Sequence, residues 1–100
     1  MTYEAIILPL EDWSRNRGIT ILKEDSPIER RYFYISSSNG ETFQIVVEPE
    51  RGGIVRIDAH LIEGQDNVEV HYMWEVPIAN FQDILEISAG SIENWFARKS

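Results

Sequence analysis

The chain carries two histidines, His60 and His71, and carboxylates stand near both: Asp58 before the first, Glu69 and Glu75 around the second. Imidazole beside carboxylate supports two kinds of chemistry. The set can ligate zinc or iron, or a histidine can move protons beside an acid that orients it. Neither has supporting spacing here. The chain holds no HExxH or similar tight pattern, and two histidines on a polar strand face are ordinarily exposed polar residues. An acidic surface poor in Lys and Arg also disfavours a phosphate-ester substrate. Paired carboxylates for glycoside cleavage are formally available, but seventeen acids create some pair by chance. Ser36-Ser37-Ser38 lacks the G-x-S-x-G elbow of a serine nucleophile, and Gly52-Gly53 lacks the Lys-Ser/Thr of a phosphate loop. With no cysteine, a thiolate zinc site, a cysteine nucleophile and a disulfide scaffold are excluded together. The expectation is no catalytic residue, no cofactor and no metal. Asp58 still stands out, because the pattern puts it in mid-strand at the centre of a sheet face.

The elements that would position these residues are legible from alternation. Residues 31–36 are rich in β-formers, and Ser38-Asn39-Gly40 supplies a hairpin signal. Residues 42–48 alternate, with Phe43, Ile45 and Val47 on one face and Gln44 and Glu48 on the other. Residues 49–53 read as a turn. Residues 54–62 alternate again, with Val55, Ile57, Ala59 and Leu61 inward and Arg56, Asp58 and His60 outward. A turn at 64–67 leads to the clearest strand, 68–76, whose Glu69, His71, Met73 and Glu75 share the outer face. Tyr32, Phe33 and Tyr34 resemble a base-stacking platform, yet the basic interleaving stops at Arg30-Arg31, and packing explains them better.

Apolar positions Ile78, Phe81, Leu85, Ala89, Ile92 and Phe96 fall three or four apart, which predicts one broken helix or two short ones over 79–98. Gly90-Ser91 marks the expected break, and Trp95 is the expected anchor of the last turn. At the start, residues 4–8 fit a strand or a helix interrupted by Pro9. Residues 10–17 predict a short helix capped by Gly18, and 19–22 a further strand. The predicted class is α+β: an antiparallel β-meander of four to six strands, packed on one face by the C-terminal helix or helices, with a short N-terminal helix. A chain of 100 residues is expected to form a single domain over 1–100.

Register follows from loop length. A four-residue loop at 64–67 pairs 62 with 69, 60 with 71, 58 with 73 and 56 with 75, so His60 faces His71. Pairs 44/58 and 46/56 in the hairpin before it would set Gln44 beside Asp58.

Charge is segregated. The formal net charge is −8, yet residues 57–97 hold eight acids and no Lys or Arg. Such a field repels phosphates and anionic lipid and attracts a basic partner. Direct nucleic-acid binding and membrane association are therefore not expected. The start has no basic n-region followed by a long apolar stretch, so a cytoplasmic protein is expected.

The runs 31–35 through Asn39-Gly40, 43–48, the acidic strand 69–75 and the ending 91–96 resemble small bacterial immunity proteins. These are the antidotes of polymorphic toxin systems, including contact-dependent growth inhibition. The resemblance implies a non-enzymatic protein that binds the toxic C-terminal domain of a delivered effector, often a nuclease, as a monomer in a 1:1 complex. A nuclease site is lined with cations, so an acidic surface would be steered to it. The candidate partner-binding residues are Asp58, Glu63, Asp66, Glu69, His71, Met73 and Glu75. An acidic nucleic-acid mimic and a small enzyme using His60, His71 and Asp58 are the alternatives.

Overall fold

A computed structural model describes residues 3–25, 29–64 and 69–99. They build an α+β fold whose five-stranded antiparallel sheet keeps its strands in chain order. The strands are β1 (Leu22–Glu24), β2 (Arg30–Ser36), β3 (Thr42–Val47), β4 (Ile54–Glu63) and β5 (His71–Pro77). Helix α1 (Ile7–Arg17) precedes them, and helix α2 (Phe81–Lys99) follows a 3-10 turn at Ile78–Asn80. Among the described residues, no helix is long and apolar enough to cross a membrane.

Each strand pairs with its neighbour in sequence because the connections are short. Period-two alternation then sorts the side chains. Phe33, Phe43, Ile45, Val47, Val55, Ile57 and Ala59 point to one side and are fully buried. Both helices cover that side. α2 contributes Phe81, Ile84, Leu85, Ala89 and Ile92, and α1 adds Leu10 and Trp13, with Ile6 just before it. Burying each large side chain contributes about 1.5–3 kcal/mol, so this one layer of apolar contact dominates the fold. Trp13 lies 5.3 Å from Phe33, and Phe43 meets Trp95 and Phe96 edge-on at 5.3 and 5.7 Å. Trp95 therefore anchors the last turns of α2 to the sheet, as expected.

Several boundaries differ from expectation. Residues 81–99 form one continuous helix, with no break at Gly90-Ser91. The Ser91 hydroxyl donates to the Ile87 carbonyl at 2.9 Å instead of capping a new helix. A mid-helix glycine costs only about 1 kcal/mol, less than burying Leu85, Ala89 and Ile92 on one stripe returns. Pro9 does not interrupt α1, because it sits in the first turn, where no amide partner is required. Gly18 ends that helix at φ 67°, donating to the Arg15 and Ser14 carbonyls. β1 begins at Leu22; Ile19 and Ile21 pack on the core without strand pairing. The last strand starts at His71; Val68 lies outside the described residues, while Glu69 and Val70 precede the strand.

The β4–β5 register is the expected one: Arg56 pairs with Glu75, Asp58 with Met73 and His60 with His71. The β3–β4 register is not. Gln44 pairs with His60 and Val46 with Asp58, two residues away from the expected pairing of Gln44 with Asp58. The connection explains the offset. Gly52 and Gly53 take φ of 60° and 82°, as the central pair of a tight hairpin turn requires, and Arg51 bridges Ile54 across them. The turn is thus built on the glycine pair, beyond the middle of the 49–53 stretch, and the β4 partner of each β3 residue lies two positions further on.

Candidate functional site on the open sheet face

Among the described residues, no helix covers the second side of the sheet. Along β4 it presents Ile54, Arg56, Asp58, His60 and Ile62, and β5 adds His71, Met73 and Glu75. Tyr34 and Gln44 complete the same surface from β2 and β3, with the Gln44 amide donating to the Tyr34 hydroxyl at 3.5 Å. Tyr34, Ile54, Ile62 and Met73 are 40–49% exposed. Four large apolar side chains therefore meet solvent on one face.

Asp58 sits at the centre of this face and is only 7% exposed. Val46 and Met73 flank it on the neighbouring strands. A buried carboxylate needs partners, and the chain supplies them from the same face. Arg56 Nε donates to Oδ2 at 2.9 Å and Nη2 to Oδ1 at 3.1 Å, a bidentate fork between residues two apart on one strand. His71 Nε2 stands 3.0 Å from Oδ1. Burial pushes the Asp58 carboxyl upward, but the hydrogen bonds from Arg56 and His71 outweigh it and hold it below the ordinary carboxylate range. The carboxylate is therefore ionised at neutral pH and can only accept. His71 must then carry its proton on Nε2, which leaves Nδ1 as the acceptor of the neutral ring. The His60 ring stacks on that of His71, with centroids 4.1 Å apart and planes within 6° of parallel.

Acids rim this centre. Glu75 lies opposite Arg56 on β5, and Glu48, whose amide donates to the Arg56 carbonyl at 3.0 Å, lies on the other side. Glu69 is exposed just before β5. Glu63 ends β4 opposite Thr42, beyond a bulge. Asp66 falls outside the described residues. Of the expected residues, Asp58, His71, Met73 and Glu75 share this face by register, while Glu63 and Glu69 stand at its margin. Asp58 is a paired, mostly buried anion, whereas Glu63, Glu69 and Glu75 are exposed.

Arg56 is the residue of this site that charge counting alone misses; its position two before Asp58 on an alternating strand is the available signal. Away from this site, Glu41 is a second side chain whose place the sequence does not show. It is 4% exposed at the β2–β3 connection, and its Oε2 has no hydrogen-bond partner among the described residues. Nothing in its sequence surroundings marks it as buried.

No family model matches the chain, and no match was found among curated proteins or solved structures.

Proposed function

We propose that this protein is a binding module whose open sheet face docks a basic partner, and that it acts as an immunity protein neutralising a nuclease-type toxin domain in the cytoplasm. One observation carries the reading. Among the described residues no helix covers one face of the five-stranded sheet, and on it Tyr34, Met73, Ile54 and Ile62 lie exposed, with Glu75 on the same face and Glu63 and Glu69 exposed at its margin. Apolar anchors within a charged rim are the composition of a docking surface. The net charge of −8 selects a cationic partner and accelerates its approach. A nuclease domain, which must attract phosphates, is such a partner.

The acidic nucleic-acid mimic is less well supported, because several carboxylates are paired with arginine within the chain: Asp58 with Arg56, and Glu86 and Glu93 with Arg17. The enzyme reading has the Asp58–His71 contact in its favour, since an acid that fixes a histidine tautomer is part of acid–base catalysis. Loss of a measurable turnover in His71→Gln would support it.

The decisive experiment pairs this protein with the partner the reading requires, a basic nuclease-type toxin domain from the same cell. Co-expression should protect cells from that domain. Glu69→Lys with Glu75→Lys should slow association at least tenfold at low salt while the circular dichroism spectrum stays native. An unchanged association rate would remove this face from the reading.

A further inference from the structure

We propose that His60, His71 and Asp58 form a binding site for a divalent transition-metal ion of the zinc class. Both of the chain's histidines are used in a single cross-strand pair, His60 opposite His71. One ligand atom from each of the three residues lies within 4.8 Å of the others. Two ligands of one tetrahedral ion with bonds of 2.0–2.2 Å stand roughly 3.3 Å apart. His71 Nε2 and Asp58 Oδ1, at 3.0 Å, are already close to that separation. A metal ion would replace the proton they share. His60 completes the set by turning its exposed ring out of the stack and towards the ion.

A metal ion must share Asp58 with Arg56. Arg56 keeps Asp58 Oδ2 through its Nε at 2.9 Å and gives up only the 3.1 Å bond to Oδ1. A carboxylate ligand held by an outer hydrogen bond is the usual arrangement of metal sites. Glu75 and Glu48 flank Arg56 and offset its charge. Two imidazoles and one carboxylate suit zinc, cobalt or nickel rather than calcium or magnesium, which prefer all-oxygen shells. Three protein ligands leave a fourth position open on the bare face of the sheet. The site requires only the isolated protein, so it stands or falls independently of the partner reading.

The test is a titration of the full chain with zinc sulfate at pH 7.5, followed by calorimetry and by the imidazole resonances in two-dimensional NMR. The expected result is one ion bound per chain, with both histidine rings shifting together. His60→Ala, an exposed position, should weaken binding at least tenfold with the fold unchanged, and His71→Ala should do the same. Affinity should also fall at least tenfold at pH 5.5, because imidazole ligates only when deprotonated. Two results would overturn the site: histidine resonances that do not move at millimolar zinc, or an affinity that survives His60→Ala unaltered.

Discussion

Tyr3 ties three parts of the chain together through one hydroxyl. It donates to the Val47 carbonyl at 2.6 Å and accepts from the Arg31 amide at 3.0 Å, while the Arg31 guanidinium lies 4.8 Å from its ring. Burial raises its pKa from 10.0 to about 12. The neutral phenol is thus favoured in the folded state, and its contribution is fully present below pH 10. It is lost as the pH rises from 10 through about 12. The linkage amounts to on the order of 2 kcal/mol. Urea unfolding between pH 9 and 12 should show stability falling more steeply in the natural protein than in Tyr3→Phe; parallel curves would show that the hydroxyl carries no such term. The residue scale is also where the sequence is most uneven as a guide. Asp58 is legible as a residue with a special place, because an acid centred in an alternating strand has to be explained. Its pairing with Arg56 turns on side-chain rotamers, and the burial of Glu41 on how the end of a hairpin meets the core. Neither leaves a pattern along the chain.

Among the elements, α2 offers the clearest test. Gly90 lies in its interior, and a methyl group built there meets nothing within 4 Å. Gly90→Ala should therefore stabilise the protein by about 0.5–1 kcal/mol, by removing freedom from the unfolded chain and improving helix propensity. Gly18→Ala should act in the opposite direction by about 1 kcal/mol, since φ of 67° at the end of α1 is unfavourable for a side chain. Chemical denaturation of the two variants checks both signs. Strands β2 to β5 were readable because alternation between one wet and one dry face repeats through them. The unbroken α2 was not, since glycine is a weak local signal against a long buried stripe. The β3–β4 register depended on which residues of 49–53 take positive φ, a choice between neighbouring glycines and polar residues that composition leaves open.

Across the whole molecule, neighbouring strands pair first in sequence, while the two helices meet only after the chain has travelled its full length. Trp13 Nε1 donates to Glu86 Oε1 at 2.6 Å, Arg17 grips both oxygens of Glu86 at 2.9 Å, and Gln82 donates to the Pro9 carbonyl at 3.1 Å. These contacts span about seventy residues, the span at which loop-closure entropy is greatest in this fold. They are therefore expected to form late. Trp13→Phe, which deletes the indole N–H, should raise the unfolding rate roughly fivefold and alter the folding rate less than twofold. A chevron whose folding arm takes most of the change would place the helix pair in the nucleus instead.

The open face has one more consequence, and it concerns errors of assembly. Its outer side chains at one level alternate in sign: Glu24 opposite Arg30 on β1 and β2, Arg56 opposite Glu75 on β4 and β5, and Glu48 beside Arg56. A slip of two residues keeps every apolar side chain on the buried side, so the core alone does not reject it. The charges do. Sliding β5 in one direction sets Asp58 against Glu75, and sliding β3 sets Glu48 against Asp58, like charges facing each other across the sheet. Asp58, paired with the arginine that stands between those two acids, thus adds a charge penalty against alignments that keep the apolar side chains on the buried side.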